Sequence, residues 1–398
     1  MSAVHVAIGI DIGTSSAKIC GIAKNGIITK EYRQNYGFEC SAIQDSKRIL
    51  RVCLDLLKNF DENVTDVWIC GQMHGIALWN SQSINEDLEN LQVSPLYNWM
   101  FTYDDEHFLE SLPKWESGRV YPGFGIATLA YLHKIQDLKN FDRCGTIMEL
   151  FSCYLTKSKI AFMSEHNAHS WAYCNNGCWQ ENIKQFLPSN VELPTITQDL
   201  SLVVGEWRRA KCHVASGDLQ ASVASLDFAE NRAYLIIGTS AQLCALVSQN
   251  VTNLPPTVVN VPYSSKYRLV AACAMNGGNA LEAMYKINRD KIYSNDNLVE
   301  ILSKLDQKEV SIPDNLQINP IFIAERGSNA QFSSTGVENS SELELFFLDS
   351  RDISKLHCVL LRQRTKFRRH LVQLDSLHDL LSNYEMYFIG ISINWGKW

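Results

Sequence analysis

The sequence predicts an α/β protein built from two related halves. Three observations carry this reading. An apolar run, Val4 to Ile10, ends at Asp11, turns through Gly13-Thr14-Ser15-Ser16 and resumes as a second apolar stretch from Ala17 to Ala23. The same pattern returns in the second half of the chain as Tyr234-Leu235-Ile236-Ile237-Gly238-Thr239-Ser240-Ala241. Between strand-like runs, Ile49, Leu50, Cys53, Leu54 and Leu57 recur at helical spacing. One short Gly-rich turn is indistinguishable from an ordinary hairpin. Its repetition changes the meaning of both copies, because a duplicated unit implies a duplicated use. Two strands joined by small, hydroxyl-bearing residues leave backbone N–H groups converging on one point, a concavity suited to phosphate oxygens. Each half would then present such a hairpin to a shared cleft, and Asp11 can hold a phosphate-bound Mg²⁺ directly or through water.

Composition narrows the class. The 398 residues are 46% hydrophobic and 20% charged, a soluble globular balance with ample core material for two or three domains. A net charge of −7 argues against a dedicated nucleic-acid binder. No apolar run approaches the roughly 20 residues that span a bilayer. The twelve cysteines form no C-x-x-C pair and read as reduced, buried thiols of a cytoplasmic protein. Cys174 and Cys178 near His166 and His169 fit no common zinc spacing, and the basic run Arg362–His370 reads as a solvated helix face. No G-x-x-x-x-G-K-[ST] stretch is present, which excludes a P-loop.

Along the chain, Val4–Ala23 and Gly26–Tyr32 read as strands and Ser46–Lys58 as a helix. Val67–Cys70 is a short buried strand running into Gly71-Gln72-Met73-His74-Gly75, after which Ile76–Trp79 resumes as a strand. Ser81–Gln92 is a polar surface excursion. Ala127–Leu138 and Cys144–Leu155 read as helices. Ser164–Asn176, rich in Asn, His and Ser, reads as a loop near a site, and Pro188–Asp199 as connecting material. A second compact segment is expected from about Cys212.

Several stretches carry chemistry. Ser216-Gly217-Asp218-Leu219-Gln220-Ala221-Ser222 places a carboxylate at a loop-to-helix junction just upstream of the second hairpin. Such an Asp serves equally as a helix cap or as the acceptor of a proton from a hydroxyl attacking phosphorus. In the 71–75 stretch, His74 at a strand end can donate to a sugar hydroxyl, since strand ends are where α/β proteins present ligand contacts. Tyr103-Asp104-Asp105 offers further hydroxyl acceptors or an exposed acidic loop. Asn276-Gly277-Gly278-Asn279 follows a buried strand and lets backbone approach a flat or anionic ligand, or simply makes a tight turn.

Taken in order, Gly9–Lys18, Gly71–Gly75, Gly217–Ser222 and Gly238–Ser240 resemble the FGGY carbohydrate kinases, over roughly residues 4–326. Gly123–Thr128, Met163-Ser164 through Asn167-Ala168, and Asn276–Asn279 add to the resemblance. It implies two actin-like (ribonuclease H-like) α/β domains around a central cleft holding ATP and sugar. It implies Mg²⁺ near Asp11, and ATP phosphates on Gly13, Thr14, Ser15, Lys18, Gly238, Thr239, Ser240, Gly277 and Gly278. Asp218 would be the general base, with Gln72, Met73, His74, Tyr103 and Asp105 around the sugar. The implied acceptor is sedoheptulose, giving sedoheptulose 7-phosphate. Another ketose or polyol, such as xylulose or glycerol, is the alternative, as is a non-catalytic sugar-binding remnant. Partners are small molecules, with neither nucleic acid nor membrane.

The chain also departs from the family. After Arg326 neither a Gly-Gly-x-Ser-x-x-Asn-type adenosine turn nor a closing helix is evident. The expected division is therefore an N-terminal domain over 1–228, a partial second domain over 229–326, and a divergent, poorly ordered tail over 327–398, with weakened ATP binding. Glu165 stands where relatives tend to carry Asp, and Asp104 and Glu106-His107 replace the Gln-Asp-Gly-Arg pattern around Asp105.

Overall fold

A computed structural model of the chain describes residues 5–38, 41–60, 64–225, 232–237, 241–248, 254, 258–274, 317–319, 333–335 and 385–390. They belong to two compact units, Met1–Asp227 with Val261–Ser265, and Phe228–Asn260 with Lys266–Trp398.

The first unit is organised on a mixed sheet. Its strands are β1 (His5–Ile12), β2 (Ser16–Ala23), β3 (Ile28–Asn35), β4 (Asp66–Gly71), β5 (Val203–Trp207), β6 (Ala210–His213) and the short β7 (Ser216–Gly217). They run in the order β5-β6-β4-β1-β2-β3, with β7 also on β4. The two-residue alternation of a strand divides the sheet chemically. Ile8, Ile10 and Ile12, Ala17 and Ile19, and Val67 and Ile69 are buried in one core. The alternate positions Asp11, Lys18 and Cys70 are only partly covered.

Two helices close that core. In α1 (Ser46–Leu57), Asp45 caps the N-terminus by accepting from Arg48 N, while Ile49, Leu50, Cys53, Leu56 and Leu57 are buried. The helix expected over 144–155 starts later, as α3 (Ile147–Thr156), because Arg143–Gly145 forms a strand and Thr146 then caps the helix. Thr146 and Glu149 form a capping box, which satisfies N–H groups that a helix start leaves open. A second core gathers Ile76, Leu78, Phe124, Met163, Trp171 and Tyr173 around α2 (Gly125–Ile135).

Two expectations are corrected. The polar stretch read as a loop over 164–176 contains α4, a helix at Glu165–Ser170 whose His166, Asn167, His169 and Ser170 are buried. Its polarity serves internal hydrogen bonds rather than solvent, which composition does not distinguish. Cys212 does not open a second segment, because β6 pairs in parallel with β4 in the first sheet.

A second sheet, drawn mainly from the second unit, consists of β8 (Arg232–Ile237), β9 (Ala241–Val247), β10 (Val258–Pro262), β11 (Arg268–Ala274) and β12 (Glu385–Gly390), in the order β10-β11-β9-β8-β12. The run β11-β9-β8-β12 repeats β3-β2-β1-β4 strand for strand. β8–β9 is an antiparallel hairpin like β1–β2, and β12 joins β8 in parallel as β4 joins β1. Gly390 stands opposite Ile237, as Gly71 stands opposite Ile12. The internal repeat thus extends over four strands, and its last strand comes from the segment that the sequence leaves as a tail.

Candidate active site

The β1–β2 turn is held from behind by its carbonyl groups. Gly13 O accepts from Tyr36 Oη at 3.0 Å and from Gln72 Nε2 at 3.3 Å. Thr14 O accepts from Gln44 Nε2 at 2.8 Å, Ser15 O from Tyr36 N at 3.1 Å, and Ser16 O from Gly13 N at 3.1 Å. Trp99 Nε1 donates to Thr14 Oγ1 at 3.0 Å. Its carbonyls are thus taken up by protein donors, and its Gly13 amide by Ser16 O. Among the described residues, the N–H groups of Thr14 and Ser15 meet no acceptor. This is the arrangement expected of an anion-binding nest.

Strand register lines up the chemistry beside that turn. One row across the sheet runs Arg33, Lys18, Asp11, Cys70 and Ser216. The next runs Gln34, Ala17, Ile12, Gly71 and Gly217, and Asp218 follows at once as the first residue of α5 (Asp218–Ala224). Lys18 Nζ lies 3.3 Å from Asp11 Oδ2. Gly217 is the N-cap of this helix, without a side-chain cap bond, and Asp218 Oδ1 accepts from the adjacent Leu219 N at 2.8 Å.

Protein packed around Asp218, and then the negative charge of Asp11, push its carboxyl up to about 7, opposed by its backbone hydrogen bonds and Lys18. The residue keeps an exposed surface, which tempers the burial contribution, but both contributions act upward. Burial and the same two aspartates hold the Cys70 thiol well above its ordinary range, so it stays protonated.

Asp11, part-exposed beside the amides, fits the one-carboxylate role of a protein holding Mg²⁺ mainly through phosphate and water oxygens. Among the described residues no group of three His, Cys, Asp or Glu forms an all-protein metal cage.

The sugar-side candidates separate into three groups. Met73 is buried, and its sulfur packs so closely on Gly217 that a Cβ there would lie 2.5 Å away. His74, held at φ 72°, stacks on Phe124 at 4.6 Å. Its backbone N donates to Ser170 Oγ at 3.2 Å and its Nδ1 lies 2.7 Å from Ser170 O. A carbonyl only accepts, so Nδ1 carries a proton.

Gln72 is buried, donating Nε2 to Gly13 O and Gln44 Oε1 and so supporting the β1–β2 turn. Tyr103 and Asp105 form a third group, organised by α2. Tyr103 Oη bonds Thr128 Oγ1 at 3.1 Å and its ring stacks on Tyr131 at 4.7 Å, while Asp105 pairs with Lys134 at 2.8 Å and accepts from His107 N at 3.1 Å. The Lys134 hydrogen bond, above all, lowers the Asp105 carboxyl. Gly238, Thr239, Ser240, Gly277 and Gly278 lie outside the described residues.

Sequence reading missed Arg33, Gln44, Tyr36 and Trp99. Arg33 Nε donates to Ser16 Oγ at 3.1 Å. These residues come from separate elements, and nothing in their spacing ties them to the turn.

A Gly-Thr-Ser hairpin with flanking carboxylates, on a sheet order repeated in a second unit, defines an actin-like, ribonuclease H-like fold. Solved structures share it. A xylulose kinase from Lactobacillus acidophilus superimposes with a TM-score of 0.71 at 16% identity, covering 96% of this chain and 81% of that one. A glycerol kinase from Plasmodium falciparum, solved with ADP, does so with a TM-score of 0.70 at 16% identity, covering 97% and 80%. No family model matches the chain. In sequence, human sedoheptulokinase is 30% identical over 396 residues, 87% of this chain and 83% of that protein. The mouse sedoheptulokinase is 29% identical over 406 residues, with the same coverage. The chain belongs to the FGGY carbohydrate kinases, ATP-dependent phosphotransferases that include these sedoheptulokinases.

Proposed function

We propose that this kinase transfers the γ-phosphoryl group of ATP to the terminal hydroxyl of sedoheptulose, with Asp218 as general base. The observation that carries the chemistry is Asp218 itself, beside the charge of Asp11 and just beyond the row in which Gly71 adjoins Ile12 at the phosphate turn. Phosphoryl transfer asks mainly for positioning and charge stabilisation. The open amides of Thr14 and Ser15 and the Lys18 ammonium bind phosphate oxygens. Asp11 holds Mg²⁺, which neutralises phosphate charge when bound. Asp218 takes the proton from the attacking hydroxyl, and His74, with Met73 beside it, orients the sugar. Sedoheptulose as acceptor is supported by the two sedoheptulokinase relatives.

The test has two parts. Asp218→Asn should lower kcat at least about 100-fold, within the range for removing an acid–base group, while sugar affinity by calorimetry changes little. Near-normal turnover would remove Asp218 from the role. Across a panel of sedoheptulose, xylulose, other ketoses and glycerol, kcat/KM should be highest for sedoheptulose; a higher value for another sugar reassigns the substrate and leaves the chemistry standing.

A further inference from the structure

The six residues of α4 touch both sides of the proposed reaction. His166 is 4% exposed and both ring nitrogens are engaged: Nε2 lies 2.9 Å from Tyr263 O, and Nδ1 lies 3.2 Å from Ser216 Oγ. The carbonyl only accepts, so Nε2 carries the proton and Nδ1 receives the Ser216 hydroxyl. Burial lowers the imidazole's proton affinity and keeps the ring neutral, as this arrangement needs. Ser216 is two residues from Asp218. The neighbouring Asn167 donates Nδ2 to Glu149 Oε1 at 2.9 Å and to Ala215 O at 3.5 Å. Glu149 is in turn fixed by the N–H and hydroxyl of Thr146. At the far end of the helix, Ser170 holds His74 through both its hydroxyl and its carbonyl.

One short helix therefore binds the 215–216 segment behind the base through His166 and Asn167, and the imidazole of the sugar side through Ser170. A second tie reinforces the first: Gln220, 1% exposed on the helix that Asp218 begins, donates to Pro262 O at 3.3 Å, next to the Tyr263 carbonyl that anchors His166. We infer that α4 is a positioning element that fixes the separation of Asp218 and His74, and so selects which hydroxyl of the sugar the base addresses. This rests on the roles proposed above for those two residues. His166 and Ser170 are positioning residues for the base and the imidazole respectively.

The experiment compares two substitutions on the same helix. His166→Phe keeps the ring's bulk and removes both hydrogen bonds. A misplacement of the base on the ångström scale costs up to about 100-fold, so kcat should fall by about that order and the acid limb of kcat/KM should move. His166→Gln, which retains a donor and an acceptor, should recover part of the loss. Ser170→Ala removes one hold on His74. It should raise KM for the sugar several-fold, shift the preference among ketoses, and leave KM for ATP and the acid limb as in the parent.

A helix with only a structural role would give both variants the same change, a smaller active fraction with unaltered pH limb and sugar preference. That result, or full activity in His166→Phe, overturns the inference. Asp218→Asn in parallel keeps the two readings apart. If Asp218→Asn is inactive while His166→Phe is normal, only the positioning role falls; if Asp218→Asn is active, the base assignment itself falls.

Discussion

At the residue scale, the electrostatics of Asp218 make the sharpest claim. A base works only when ionised, and surrounding protein and Asp11 raise this carboxyl to about 7. The rate constant kcat/KM reports groups of the free enzyme, so it should rise with pH along an acid limb near 7. Removing the Asp11 charge should lower the Asp218 carboxyl. Asp11→Asn, followed by carbon-13 NMR titration of Asp218 without nucleotide, tests the sign; a value unchanged from the parent removes Asp11 as a cause. Gly71 makes a separate claim about packing. A Cβ at this position would lie 2.4 Å from the Ile12 carbonyl oxygen, and backbone there cannot swing aside. Gly71→Ala should cost about 3 kcal/mol or more in denaturant unfolding and disturb the phosphate turn that Ile12 leads into.

At the element scale, α3 shows how a buried carboxylate serves the fold. Glu149 accepts from Thr146 N at 2.8 Å, from the Thr146 hydroxyl and from Asn167. Burial raises its carboxyl against the pull of these donors. A raised carboxyl stabilises the fold fully below its ordinary range, and that contribution is lost as pH rises through the raised value. Thr146→Ala removes the cap and one of the donors. It should cost about 2 kcal/mol, with the larger loss at mildly alkaline pH and a smaller one below pH about 4, measured by denaturant unfolding at each pH. An equal cost at both would show that Glu149 does not feel the loss of the hydroxyl.

At the scale of the whole molecule, the second sheet repeats the strand order of the first only because Glu385–Gly390 supplies its parallel fourth strand. Without it, the outer edge of β8 loses every ladder bond that β12 provides. Deleting residues 385–398 should abolish hydrogen-exchange protection over Arg232–Ile237 and leave Asp66–Gly71 protected, since these strands belong to different sheets. Retained protection at Arg232–Ile237 would mean that β12 adds nothing to that sheet. Titration of the full chain with Mg²⁺–ATP should give saturable heat, as an active kinase requires; absence of nucleotide binding alongside sugar binding would favour the remnant reading.

Much of this was legible because it is local. Strand alternation at Ile8, Ile10 and Ile12, the helical spacing of α1, and the doubled Ile-Gly-Thr-Ser turn are contained in short stretches, and those stretches point to phosphate. Asp218 was visible as a carboxylate at a helix start, and its resemblance to a known base was visible with it. What depended on distant residues was not. Gln72, expected beside the sugar, also donates to Gly13 O and Gln44 Oε1, because only the sheet brings Gln44 and the turn to it. The proton on His74 Nδ1 is placed by the carbonyl of Ser170, far along the chain. The segment over 164–176 looked like a loop because burial of its polar side chains cannot be read from their identity. Sequence alone determined the repeated hairpin and the kinase family it resembles. The tertiary structure decided the row that sets Arg33, Lys18, Asp11, Cys70 and Ser216 side by side, the proton on His74 Nδ1 and the return of residues 385–390 to complete the second sheet. Each of these is fixed by strand register or by a hydrogen bond between residues remote in the chain, and neither leaves a mark on local pattern.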